Sequence, residues 1–381
     1  MADATLKQLV EISRTLGRDP NLVQGGGGNT SAKTPEGEYM YIKASGAALK
    51  QMSLRQGWCK LALVPVTAIL RDRAIGKLEL FEREAVVAKR LAAARIGPAK
   101  SETSPSAESY FHAILGTYTI HLHPLAVGPY VCSRRGWAAL ERLFKGWTEP
   151  ILWVPYAPTG YMLGRKLSEL ARRHERVHQR PPKVIFLQKH GLIVSDDVAE
   201  AALETVCEVF KKCAAALPAR RLTAPKPLPR ACIARARQAI KRAMAEKTGL
   251  QTRVEFYRDS GIVDFLGRVD AKALCRCRPL VPQEIAYAGG SPMWVEQCDD
   301  DAILEALREY ETENGSVPAG FLVRDMGLFV VGSRETIAAT RDTVKVSLLT
   351  RAWTDEFGGP DPLTRSQQRF VTKMYPFRFK T

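Results

Sequence analysis

The chain has 381 residues, 45% hydrophobic and 25% charged, and its 56 Lys and Arg against 40 Asp and Glu give a formal net charge of +16. This balance belongs to a globular protein with a proper core and excludes a disordered or fibrous one, and no apolar run reaches the roughly 20 residues of a membrane-spanning helix. The basic excess invites phosphate contacts, but it is spread along the chain without a zinc finger, an aromatic RNA-binding signature or a recognition helix. A small anionic partner accounts for it as well as nucleic acid does, and the missing motifs weigh against nucleic acid.

The length suits a catalytic domain plus a smaller second one. MADATLKQLVEISRTLGRD reads as an amphipathic helix rather than a signal peptide, so a cytoplasmic protein is expected. The eight cysteines (59, 132, 207, 213, 232, 275, 277 and 298) lack a second close pair at zinc-ribbon spacing and read as reduced, mostly buried thiols. Up to residue 217, the β-rich runs EYMYIKAS, CKLALVPV, YTIHLHP, PILWVPY and KVIFLQKHGLIV alternate with helical patterns such as LFEREAVVAKRLAAARIG, MLGRKLSELARRHERV and VAEAALETVCEVFKKCAAAL. That alternation predicts a mixed α/β layer architecture for residues 1–217. The Pro-rich basic stretch 218–230, PARRLTAPKPLPR, lacks too many donors for regular structure and reads as a linker. Residues 231–381 form the second domain, opening with the basic amphipathic helix CIARARQAIKRAMAEK and closing with FVTKMYPFRFKT, which reads as an uncapped tail.

An internal echo links the two regions. Setting Gly191 over Gly327 aligns IFLQKHGLIVSDDVAEAALETV with FLVRDMGLFVVGSRETIAATRD, a strand, a turn, a strand and a helix in each, with His190 replaced by Met326. The second copy has kept its packing and lost the imidazole, so the C-terminal domain reads as structural or substrate-shaping; chance likeness of two β-rich segments is the competing reading.

His121 and His123 follow the run TYTI, so at i and i+2 they project from one face of a strand that Pro124 ends. Such a pair is either a bidentate metal grip or a hydrogen-bonded pair on a sheet surface. His190, at a glycine turn after KVIFLQK, is a third imidazole at a strand end, and three imidazoles without a fourth protein ligand leave an ion open to substrate. Zinc is the first expectation, with manganese, cobalt and iron also suited to imidazole. His174 and His178 read as solvated on a charged helix face, and His112 as packing on the helix SAESYFHAIL. Ser104, Pro105 and Ser106 read as that helix's cap and first turn, which makes Glu108 either a dipole-stabilising carboxylate or, near a metal, a general base. The run Gly25 to Gly28 with Asn29, Thr30 and Ser31, and the turn Ser45-Gly46, offer amides and hydroxyls to an anion, although glycine runs also make plain flexible loops.

Together, GGGGNTSAK, YIKASG, SPSAE, HLHP and KHGLIV resemble, in order and spacing, the class II aldolase/adducin family over roughly the first 220 residues, and the C-terminal extension resembles that of long bacterial members. The resemblance implies an α/β fold: a class II aldolase-like α/β/α layered domain with a central mixed, mainly antiparallel sheet, followed by a smaller α+β domain. It makes His121, His123 and His190 ligands of a divalent metal and Glu108 the catalytic acid/base. Asn29, Ser45, Gly46 and Ser106 then hold the substrate phosphate. Ala107 departs from the pattern, because phosphate-binding members often carry a second serine there, and this leaves the phosphorylation of the substrate in doubt. For a tyrosine acid, Tyr156 and Tyr161 are the candidates. The implied activity is that of a metal-dependent aldehyde-lyase cleaving a ketose phosphate or related anionic sugar through a metal-stabilised enediolate, in a homo-oligomer (dimer or tetramer). Epimerase, dehydratase and decarboxylase chemistry on the same site is the alternative, and a non-catalytic adducin-like binding module is the alternative of another class.

Overall fold

The computed structural model of the chain describes residues 3–97, 103–219, 224–377 and 379. It divides into two compact units, residues 1–131 with 135–216 and residues 132–134 with 217–381. In the expected linker, residues 220–223 lie outside the described residues; the rest is irregular until the helix Arg230–Thr248 starts. No helix among the described residues is long and apolar enough to cross a membrane.

The first unit is built on strands β1 (Asn29–Lys33), β2 (Tyr39–Lys43), β3 (Trp58–Ala62), β4 (Arg95–Ile96), β5 (Tyr118–Leu122), β6 (Ile151–Val154), β7 (Val184–Leu187) and β8 (Gly191–Asp196). Their order is β4-β3-β2-β1-β5-β8-β7-β6, with every neighbouring pair antiparallel except β6 and β7. The central strands β5 and β7 are buried on both faces, which is why VIFL reads as an unbroken apolar run rather than an alternating one. One face packs Ile42, Leu61, Ile185 and Ile193 against the helices Leu63–Arg71 and Tyr161–His178. The helices Ala4–Gly17 and Ala199–Ala215 pack against β1 and β8.

The second unit holds β9 (Arg253–Tyr257), β10 (Met293–Val295), β11 (Gly320–Val323) and β12 (Gly327–Gly332) in the order β10-β11-β12-β9. Alternation along β11 and β12 sends Phe321, Val323, Phe329 and Val331 to a core shared with the helices Arg230–Thr248 and Asp300–Asn314. Leu322, Leu328 and Val330 go to the opposite core, with the helices Ser260–Leu266 and Ile337–Trp353.

Four local expectations change. LVPV, read as strand, starts the helix Leu63–Arg71, because Pro65 falls in a first turn where its missing N–H is not needed. Ser104 and Pro105 do not cap a helix: Ser104 O accepts from Ser45 N and Pro105 bridges Ala44, so the following helix shrinks to Ser109–His112 and Glu108 becomes its N-cap residue. His174 is 6% exposed, not solvated, since it continues the buried face of Leu163, Leu167 and Ala171. The first five residues of the expected tail, 370–374, belong to the helix Arg365–Met374, whose start carries a capping box between Thr364 and Gln367.

Candidate metal centre

β5 lies between β1 and β8, and its register sets His121 opposite Asn29 on one side and Ile193 on the other. Directly paired residues share a face of the sheet, so this register aims the Asn29 side chain at the imidazoles. His190 arrives from the turn after β7, where Lys189 takes a left-handed backbone (φ 56°) and bonds its N–H to Val131 O. Gly191 then runs against β5: a Cβ there would stand 2.4 Å from Leu122 O and 2.7 Å from a carbon of the His123 ring. Gly28 is likewise required, with φ +63° and a Cβ position 2.7 Å from His121 O.

His121, His123 and His190 converge. The Nε2 atoms of His123 and His190 each lie 3.1 Å from Nε2 of His121. His121 is fully buried, and its Nδ1 lies 3.0 Å from Leu192 O; since a carbonyl only accepts, Nδ1 carries the proton and Nε2 presents its lone pair. One ring nitrogen has a single in-plane lone pair and cannot accept from both neighbours, whereas one cation satisfies all three. Two nitrogens at about 2.0–2.1 Å from one ion lie roughly 3.0–3.4 Å apart, which matches the spacing seen. Burial pushes His123 well below the ordinary imidazole value, and burial with repulsion from His121 brings His190 to about 4 despite Glu108, so both are neutral and ligand-ready at pH 7. The three residues fit a divalent metal.

Glu108 sets its carboxylate 3.6 Å from His121 Nε2 and 3.5 Å from His190 Nε2, and accepts a 2.6 Å hydrogen bond from Asn29 Nδ2. Burial raises this carboxyl, but the two imidazoles and the Asn29 amide outweigh it, and the net displacement is below the usual carboxylate value. Asn29 Oδ1 is buried with no hydrogen-bond partner. Ser106 Oγ accepts from Glu108 N at 3.3 Å, and Ser45 N bonds Ser104 O at 2.8 Å, so the Ser45-Gly46 turn and the segment leading to Glu108 are stitched together. Gly46 has φ +76° and open space around it. Of the tyrosine candidates, Tyr161 spends its hydroxyl on Asp72 O, while the Tyr156 hydroxyl is buried without a partner and pushed up to about 12 by burial.

One residue behind the site was not singled out by sequence. Lys43 is buried and its ammonium donates to Gly26 O (3.0 Å), Ala44 O (3.3 Å) and Ala47 O (2.6 Å), tying the glycine run to the Ser45-Gly46 turn; burial lowers it to about 8, opposed by Glu108. Its only sequence cue was a lysine between a strand and a Ser-Gly turn. Ser31 Oγ meets His112 Nδ1 at 2.8 Å, and the His112 ring stacks on Phe111, which meets His121 edge-on. Burial and His121 bring His112 down to about 3.

Residues 7–217 match the class II aldolase and adducin N-terminal domain, and the chain belongs to that family. Over 310 residues it is 22% identical to a Bacillus subtilis (strain 168) protein named uncharacterized oxidoreductase YuxG, covering 76% of this chain and 42% of that relative. The chain therefore spans less than half the length of this curated relative. Among solved structures, the N-terminal class II aldolase domain of a conserved protein from Thermoplasma acidophilum is 24% identical with a TM-score of 0.46, over 55% of this chain and 92% of that one. YgbL from Klebsiella pneumoniae, described as a putative aldolase/epimerase/decarboxylase, is 17% identical with a TM-score of 0.37, over 56% of this chain and 87% of that one.

Proposed function

We propose that the chain is a metal-dependent lyase that cleaves a carbon–carbon bond of an anionic sugar, a ketose phosphate or a related substrate, by retro-aldol chemistry. The observation that carries this reading is the convergence of three imidazole nitrogens with one carboxylate 3.5–3.6 Å from two of them. His121, His123 and His190 would hold the ion, with zinc the first choice and manganese, cobalt or iron the others. Bound there, a divalent cation polarises a carbonyl and stabilises the negative charge left when the carbon bond breaks.

The chain's own groups do the rest. Glu108, held by Asn29 Nδ2, exchanges the proton at the reacting carbon. Asn29 Oδ1, buried and unpartnered, accepts from a substrate hydroxyl. Ser45, Gly46 and Ser106 give amide and hydroxyl donors to the anionic end, and the Lys43 ammonium adds positive charge behind them. Ala107 contributes no hydroxyl, so the anion is held by fewer donors.

The test is metal analysis and a screen of ketoses and ketose phosphates for release of dihydroxyacetone phosphate or its unphosphorylated analogue, followed by Glu108→Gln on the substrate found. That change keeps shape and removes the base, so kcat should fall by about 10²–10⁴-fold with the metal retained. Unchanged turnover would remove Glu108 from the mechanism, and a metal-loaded protein that turns over no substrate of the screen would leave a metal-holding binding module as the better reading.

A further inference from the structure

The second unit repeats the half-sheet that carries the imidazoles. In the first unit β5, β8, β7 and β6 lie side by side, with β6 parallel to β7 and the other neighbours antiparallel. In the second, β9, β12, β11 and β10 lie side by side, with β10 parallel to β11 and the other neighbours antiparallel. Each parallel pair is joined by a helix, Tyr161–His178 and Asp300–Asn314, and each hairpin is followed by another, Ala199–Ala215 and Ile337–Trp353. Aligning Gly191 with Gly327 brings the first and last residues of β7 and β8 onto those of β11 and β12.

The match extends to details that chance likeness would not reproduce. Lys189 and Asp325, each two residues before the glycine, are both left-handed, at φ 56° and 59°, a conformation few non-glycine residues adopt. A Cβ on Gly191 would strike Leu122 O at 2.4 Å, and one on Gly327 would approach Tyr257 O at 2.8 Å. Leu122 and Tyr257 are themselves equivalent, since Leu192 pairs with Leu122 and Leu328 with Tyr257. The register therefore puts Phe256 at the place of His121, Arg258 at that of His123 and Met326 at that of His190.

We propose that the second unit is a copy of the metal-bearing half-sheet in which the Arg258 guanidinium has taken over the joining role of the ion. Arg258 Nη1 donates to Asp325 O and Met326 O, so it ties the end of β9 to the turn after β11. In the first unit an ion on His121, His123 and His190 would tie the end of β5 to the turn after β7; only this comparison rests on the reading of those histidines as ligands. The other two positions have become apolar: Phe256 packs on Phe329 with ring centres 4.8 Å apart, and Met326 lies against the same core. These three positions of the second unit thus offer no imidazole to a divalent ion but keep the backbone of a site for one.

Restoring the imidazoles tests this. Cobalt(II) per chain, measured by elemental analysis and by the ligand-field absorption of the bound ion, should rise from one to two in Phe256→His/Arg258→His/Met326→His. Placed in a His190→Ala background, the same triple change should keep one ion. A triple variant that folds with unchanged circular dichroism and gains no ion overturns the copied site, whereas a wild-type chain without metal overturns only the reading of His121, His123 and His190. Arg258→Ala tests the native contact separately: amide exchange in the turn 324–327 should quicken by about tenfold, the equivalent of losing roughly 1.4 kcal/mol of local protection, and Arg258→Lys should restore part of it. Unchanged exchange in Arg258→Ala would show that the guanidinium does not hold the turn.

Discussion

At the end of β5 and in the turn after β7 stand three imidazoles; at the matching places on β9 and after β11 stand a phenyl ring, a guanidinium and a thioether. The backbones under the two sets share strand lengths, pairing register, a left-handed residue and a glycine crowded against a carbonyl. What makes the hairpin is therefore separate from what makes the site: apolar runs buried on both faces and one crowded glycine specify the first, and three side chains the second. The chemistry carries a cost that the copy avoids. Burial suppresses protonation of His123 and His190, whereas the second unit fills the matching core-facing places with Phe256 and Met326.

The largest effect that probes this comparison is steric. Gly191→Ala and Gly327→Ala should each destabilise the protein by about 2–4 kcal/mol in urea unfolding, because backbone must shift in both. Only Gly191→Ala should also lower the metal content, since its Cβ additionally meets the His123 ring. Equal metal loss in the two variants would mean that the hairpins do not differ in function.

Acid should then separate the units. All six histidines lie between residues 112 and 190, so the second unit has none. His112 is brought to about 3 and His174 to about 4 by burial, below their unfolded values near 6.5, so the unfolded chain binds protons that the folded one refuses. Their contribution is fully present above about pH 6.5 and is lost as pH falls towards those folded values. His112 alone should cost about 2 kcal/mol between pH 7 and pH 5, and His112→Gln should flatten that limb. A pH-independent stability over this range would mean that the ring is not buried neutral.

The smallest effect concerns the anion. Ala107→Ser restores a hydroxyl beside Ser106 and should lower KM for a phosphorylated substrate by about two- to tenfold, the value of one hydrogen bond, without changing kcat. Stronger binding of an unphosphorylated sugar instead would place residue 107 away from the anion.

Much of the site was readable because its cues are local. A β-branched run before His-Leu-His-Pro, and a long apolar run before Lys-His-Gly, each put imidazoles at strand ends without any tertiary information. The family resemblance assigned Asn29 to the substrate phosphate and Glu108 to acid/base work, and their hydrogen bond, across 79 positions of sequence, was not readable. Lys43 was not readable: nothing in YIKASG tells that three carbonyls from two loops will close around its ammonium. His174 could have been found, because Leu167, Ala171 and His174 follow one helical face, but its charged neighbours masked the pattern. Phe256 and Arg258 share no residue type with the histidines they match, and their strand lies far in sequence from the hairpin it pairs with, so only the register discloses them.

The proposed function stands or falls with one ion held by His121, His123 and His190 of the first unit. Zinc or cobalt content of purified wild-type, His190→Ala and Met326→Leu protein, with X-ray absorption at the metal edge, tests it most directly. One ion per chain with three imidazole neighbours in the wild type, the same in Met326→Leu and none in a folded His190→Ala is the expected result. Full occupancy with an unchanged absorption spectrum in His190→Ala would contradict it.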